Sequence, residues 1–205
     1  MQISKIERQI KNKERYSIFI DDEFVFGLSG VDVLQYKLKE GEEITQDRYE
    51  YLLNNVVYLK ARDKAVRYLA YKPRTKTEVV QKLKQDEYTE EIISRVLEEM
   101  EKYNYINDEE YTNLYVQYLS SKKKYGTKRI KFELERKGIE KDIICKVLND
   151  ADFEEVESAI LLLEKKLRGG KMLTPDSKQR YYGFLARRGY SNDIIKKAFK
   201  NFDTE

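Results

Sequence analysis

An internal repeat limits what this chain can become more than any other feature of it. Leu83, Leu134 and Leu185 are separated by the same 51 positions. The same step links Thr89, Glu140 and Ser191, then the pairs Ile92-Ile93, Ile143-Ile144 and Ile194-Ile195, then Val96-Leu97, Val147-Leu148 and Ala198-Phe199. Apolar residues at i, i+1, i+4 and i+5 make one buried face of a helix, so three ungapped copies predict three copies of one helical unit.

Each copy carries its own punctuation. Gly138 and Gly189 sit where a helix should end in the left-handed conformation that glycine adopts at little cost. The first copy has Asp86-Glu87 there, and its turn is expected to close differently. Thr89 and Ser191 are good N-caps, followed by acidic residues near the positive helix end. Thr75 and Glu78 form a capping box after Pro73, and Thr174-Pro175 opens a helix in the third copy. Longer helices precede each pair, at Lys60 to Tyr71, Asp108 to Lys122 and Phe153 to Leu167. The unit is therefore three helices. A unit this small is expected to bury its apolar face against its neighbours.

The first ~45 residues follow another pattern. Tyr16, Ile18 and Ile20 alternate, Asp21-Asp22-Glu23 makes a turn, and Phe24 and Phe26 resume the alternation, which predicts a hairpin. Ile3 to Ile10 is a candidate third strand, and a short helix is expected from Ser29 to about Tyr36. The fold class is thus mainly α: tandem three-helix repeats forming an elongated, curved solenoid, with a small N-terminal β-hairpin and helix extension. The expected divisions are 1–58 for the extension and 59–107, 108–152 and 153–205 for the three repeats.

Charge is plentiful and unevenly placed. The 205 residues carry 40 Lys+Arg against 37 Asp+Glu, a net charge of +3. Between Lys122 and Lys137, eight cations face only Glu133 and Glu135; between Asp86 and Glu110 carboxylates outnumber Arg95 and Lys102. Arg136-Lys137 and Arg187-Arg188 repeat the 51-residue step. A recurring basic stripe suits a filamentous anionic partner. Lys122, Lys123, Lys124, Lys128, Arg129, Arg187, Arg188 and, in the first unit, Arg74 are the candidate contact residues. The longest apolar run, Ala159 to Leu163, is far short of the ~20 residues of a membrane span. With no secretory signal region and a lone Cys145, the expected home is the cytoplasm and the expected state a monomer.

Catalytic chemistry finds little footing. The chain has no histidine, which excludes histidine-based triads and HExxH zinc sites. Gly169-Gly170-Lys171-Met172 lacks the first glycine and the Ser/Thr of a phosphate loop, and reads as a basic loop. Asp108-Glu109-Glu110 reads as the acidic first turn of a helix, and Cys145, beside Ile144, as a small core residue. Most of the 17 tyrosines fall at helical spacing and read as core rims. Tyr125 and Tyr181-Tyr182 are the better candidates for stacking on bases. No metal, cofactor or enzymatic activity is expected.

Residues 65 to 75 (AVRYLAYKPRT), with Glu78 and Leu83, resemble the opening signature of the RecX regulatory proteins. Residues 105 to 111 (YINDEEY) resemble a second segment of that family. Gly126, Arg129-Ile130, Glu133-Leu134 and 137 to 139 (KGI) match its central motif, and 184 to 190 (FLARRGY) with Ile194-Ile195 its C-terminal one. The likeness runs from about 60 to 200 in the family's order, and the β-type extension is similar to that of longer members. Asn107 and Lys72 stand where Asp and Arg are common. The resemblance implies a helical-repeat protein that binds in the groove of RecA recombinase filaments on DNA and inhibits ATP hydrolysis, strand exchange and co-protease activity. The alternative is a helical-repeat protein that binds single-stranded DNA directly, through the stretch from Lys122 to Arg129.

Overall fold

The computed structural model of the chain describes residues 1–10, 12–167 and 174–202. The Gly169–Met172 stretch, expected as a basic loop, lies outside them. The chain divides into two compact units, Met1–Asn107 and Asp108–Glu205.

The first unit opens with an antiparallel sheet in the order β1 (Ile3–Arg8), β2 (Arg15–Ile20), β3 (Glu23–Ser29). Asp21 and Asp22 both have positive φ, 48° and 67°, as a tight two-residue hairpin turn requires. Ile18 pairs with Phe26 but Phe19 pairs with Phe24, so β3 carries a bulge at Val25. Phe24 and Phe26, expected on one face, are therefore split. Phe26 is buried while Phe24 is partly exposed, edge-on to Phe19 with centroids 5.9 Å apart.

Helix α1 (Gly30–Gln35) follows, capped by a reciprocal box in which the Ser29 hydroxyl accepts from the Asp32 N–H and the Asp32 carboxylate accepts from the Ser29 N–H. Asp32 is buried and pairs with Lys60 at 2.7 Å. Burial pushes its carboxyl upward, but the hydrogen bonds from Lys60 and Ser29 outweigh that and hold it below its ordinary value. A lowered folded pKa means stabilisation present above the unfolded value of about 3.9 and lost as pH falls through the folded one. Asp32→Ala is expected to cost about 1–2 kcal/mol at neutral pH, mostly as lost capping, since the Lys60 end is half-exposed. Urea titrations of wild type and variant should converge in acid; a gap that widened there would contradict this account.

One continuous helical stretch then runs through α2 (Gln46–Leu52), π-helical turns over Leu53–Tyr58 and α3 (Leu59–Tyr71). With α4 (Lys76–Lys84) and α5 (Glu90–Lys102), α3 forms the first trio. The second unit holds α6 (Asp108–Ser121), α7 (Thr127–Arg136) and α8 (Lys141–Asp150), then α9 (Glu155–Lys166), α10 (Pro175–Arg187) and α11 (Asn192–Lys200). The caps sit where the sequence places them: Thr75 with Glu78, Thr89, Thr174 before Pro175, and Ser191.

The repeat is visible in the backbone itself. The N–H of Tyr88 bonds the carbonyl of Leu83, that of Ile139 bonds Leu134, and that of Tyr190 bonds Leu185, each across five residues. Beside them Glu87, Gly138 and Gly189 bond Lys84, Glu135 and Ala186. These are three copies of one glycine-type helix stop, with φ of 56°, 75° and 93°. The first copy thus closes like the others, contrary to expectation, although its residue is not glycine. Glu87 in that strained position accepts a hydrogen bond from the Ser17 hydroxyl of β2 at 3.0 Å, and the Arg15 guanidinium lies 4.8 Å from the Tyr88 ring. The N-terminal sheet thereby fastens the turn between α4 and α5.

Apolar packing is more local than simple stacking of repeats. The sheet, the long helical stretch and the first trio share one core, with Ile18, Phe26, Leu52, Leu83, Ile92 and Val96 buried together. The second trio closes its own cluster around Ile130, Leu134 and Ile144, and the third around Leu163, Leu185 and Ile195. Cys145, expected to be buried, is exposed. Ile144 and Val147, one turn apart, define the inward face of α8, and Cys145 and Lys146 between them point off it.

Candidate interaction surface

The second and third trios meet through backbone. The first N–H groups of α7 have no partners within their own helix, and the last carbonyls of α10 have none in theirs. Here the two ends satisfy each other. The Gly126 N–H donates to the Arg188 carbonyl at 2.9 Å, and the Lys128 N–H donates to the Gly189 carbonyl at 3.2 Å. The Thr127 N–H donates to the Glu155 carboxylate at 2.6 Å. The positive end of one helix dipole thus faces the negative end of another and a carboxylate. Such close approach needs bare α-carbons. A Cβ on Gly126 would lie 2.6 Å from the Gly189 carbonyl carbon, and one on Gly189 would lie 2.2 Å from the Arg129 nitrogen.

Side chains reinforce this junction. The Arg188 guanidinium donates to the Lys123 carbonyl at 2.7 Å, and the Tyr190 hydroxyl donates to that of Lys124 at 2.9 Å. Burial, with the nearby Glu155 charge adding to it, pushes the Tyr190 hydroxyl up to about 12, so it remains a donor at any physiological pH. The Lys122–Lys124 turn, in which Lys124 takes a φ of 52°, is consequently tied to the end of α10.

Seven of the eight candidate cations therefore lie on elements that this junction brings together, and they divide by what holds them. Arg129 pairs with the buried Glu133 at 2.6 Å, and Arg136 reaches the other oxygen of that carboxylate at 3.0 Å. Arg188 is anchored by one nitrogen to the Lys123 carbonyl and lies beside the rings of Phe184 and Tyr125, with its remaining N–H groups not engaged by these contacts. Lys124 is half-buried at the turn. Lys122, Lys123, Lys128 and Arg187 are exposed, and no carboxylate pairs with them among the described residues. Arg74 belongs to the first unit. It lies 4.2 Å from the Tyr68 ring and 3.9 Å from Glu78, with its Nε buried and unpartnered among the described residues.

The aromatic candidates serve packing. Tyr181 is buried in the third cluster, Tyr182 donates its hydroxyl to the Asn192 side chain at 2.5 Å, and the Tyr125 ring lies 5.8 Å from both Arg129 and Arg188. The Asp108-Glu109-Glu110 cluster occupies the first turn of α6, where Glu109 pairs with Lys146 of α8 at 2.6 Å. Sequence reasoning missed one feature. Leu162, Lys165 and Lys166 of α9 line a groove with Phe184 of α10 and Arg188, the residue that caps it. The signal was present in the spacing, since Lys165 and Lys166 follow Leu162 by three and four residues and Arg188 follows Phe184 by four.

Among the described residues no helix is long and apolar enough to cross a membrane. Family models match the chain in four consecutive parts: the regulatory protein RecX N-terminal domain over residues 1–45, and the first, second and third RecX three-helix domains over 61–100, 107–148 and 153–199. The regulatory protein RecX of Clostridium botulinum (strain Eklund 17B / Type B) is 31% identical over 202 residues, 97% of this chain and 94% of that protein. The one from Bacillus cytotoxicus is 35% identical over 209 residues, 99% of this chain and 77% of that protein. A crystal structure of regulatory protein RecX aligns with a TM-score of 0.65 at 26% identity, covering 97% of this chain and 98% of that one. RecX from Lactobacillus salivarius aligns at 0.66 and 29% identity, covering 72% and 97%. Family models that follow one another in order, with relatives matched along nearly the whole chain, show that this protein belongs to the RecX family of regulatory proteins.

Proposed function

We propose that this chain binds the RecA recombinase filament on DNA and restrains it, lowering its ATP hydrolysis, strand exchange and co-protease activity without catalysing a reaction itself. It acts in the cytoplasm as a monomer, and direct contact with DNA is secondary. The regulatory character of its relatives supports this reading, and one observation carries it. Lys122, Lys123, Lys128 and Arg187 stand exposed on elements joined by the backbone junction, and among the described residues no carboxylate pairs with them. Cations held on a rigid frame lose less entropy on docking than cations on a mobile tail, so an anionic partner gains more from them. Many modest contacts shared over neighbouring protomers would lock the filament against turnover and make binding steeply dependent on salt.

The test is single-strand-dependent ATP hydrolysis by the recombinase of the same organism, with this protein titrated in. Inhibition is expected well below one molecule per recombinase protomer, as bridging or capping requires. No effect at excess and low salt would remove the assignment. Equal affinity for naked and recombinase-coated single strands would favour the direct DNA-binding reading instead.

A further inference from the structure

The groove between α9 and α10 has a character of its own. Its volume is about 320 Å³, and Leu162, Lys165, Lys166, Phe184 and Arg188 line it. Three of these five residues are cations, two are apolar, and none of the five is a carboxylate. The Lys166 ammonium lies 5.3 Å from the centre of the Phe184 ring and the Arg188 guanidinium 5.1 Å from it. The ring's quadrupole attracts both cations, and among the described residues no carboxylate pairs with either of them. Lys165 and Lys166 are exposed and pair with no carboxylate among the described residues. Arg188 uses Nη1 on the Lys123 carbonyl, which leaves further guanidinium N–H groups to donate. Leu162 is half-buried, while Leu163 beside it is wholly buried in the third core, so a single aliphatic side chain is left facing the groove.

We propose that this groove binds an extended acidic peptide segment that carries a bulky aliphatic side chain. The carboxylates would meet Lys165, Lys166 and the free edge of Arg188, and the aliphatic group would cover Leu162 beside the Phe184 ring. The volume lies at the small end of ligand clefts and suits one or two side chains. Charge complementarity selects the sign of the ligand, and the apolar floor selects against a purely electrostatic one. A nucleic-acid strand fits less well. Base stacking needs an open aromatic face, whereas Phe184 is half-buried with two cations already at its ring. Such a peptide is recognised by its own charge and apolar group, independently of the recombinase.

The probe is a short fluorescent peptide of aspartates and glutamates interrupted by two leucines, titrated with the full chain and followed by anisotropy at low salt. Saturable binding is expected. The Lys165→Gln/Lys166→Gln double variant, altered only at exposed positions and adding no carboxylate at the end of α9, should weaken it several-fold with little change in the thermal midpoint. Replacing the peptide's leucines by alanine should weaken it several-fold, and amide shifts on peptide addition should centre on Leu162, Phe184 and Arg188. Absence of saturable binding, or equal affinity in the double variant, would overturn the proposal. So would a labelled oligothymidylate that binds more tightly than the peptide and loses its affinity in the same variant, which would make the groove a nucleic-acid site. No recombinase enters the assay, so its failure would leave the filament reading standing.

Discussion

Gly189→Ala is expected to destabilise the second unit by about 3–5 kcal/mol, whereas Gly183→Ala, six residues earlier and inside α10, should stabilise it by about 0.5–1 kcal/mol. Gly183 lies within α10, where alanine is the better helix former, and its added Cβ would meet only the flexible end of Arg187 at 3.3 Å. Gly189 has a φ of 93°, and its added Cβ would meet backbone at 2.2 Å. Left-handed strain and overpacking then act together, and the backbone of α7 cannot yield without giving up the Gly126 and Lys128 hydrogen bonds. A loss of that size is a large fraction of the ~5–15 kcal/mol that holds a typical domain together. Urea denaturation of the three proteins checks this. Equal midpoints for the two glycine variants would mean that the α7–α10 junction does not carry the stability assigned to it.

Reversing Lys122, Lys123, Lys128 and Arg187 to glutamate should raise the concentration needed to inhibit filament ATP hydrolysis roughly 100-fold, at about 0.5–1 kcal/mol per exposed contact. The thermal midpoint should barely move, because these side chains pair with no carboxylate among the described residues. Wild-type inhibition should fall steeply with added salt, and what survives in the variant should fall less. Arg129 and Arg188 are unsuitable for this purpose. Reversing them would strand the buried Glu133 or abandon the Lys123 carbonyl, so lost inhibition would report on the fold as much as on binding. A quadruple variant that inhibits at the wild-type concentration would remove this face from the interaction.

The periodic part of the fold was legible because its causes are local. The apolar steps linking Leu83, Leu134 and Leu185 and the caps at Thr75, Thr89, Thr174 and Ser191 each act within about one helical turn, so neighbouring residues suffice to read them. The exceptions arose where a distant group intervenes. Glu87 takes the left-handed turn that glycine takes in the other copies, with Ser17 of the sheet bonded to its side chain. Phe24 leaves the face of Phe26 because of a bulge in the pairing between β2 and β3.

The candidate surface shows the same division. Its cations could be listed from composition and spacing, but a list does not distinguish a side chain that the fold consumes from one that it offers. Arg187 and Arg188 are neighbours in sequence, yet Arg188 is bound to a carbonyl 65 residues away while Arg187 stands in solvent. By itself, then, the sequence determined that three helical trios follow a small sheet, where the capped helices start, and that basic residues cluster in the second half. Only the tertiary structure decided that α7 and α10 join end to end, that Gly126 and Gly189 must be bare, and which lysines and arginines remain free. The physical reason is that capping and periodicity are set within a turn of helix, whereas the satisfaction of a helix end or a guanidinium depends on which distant chain segment arrives beside it.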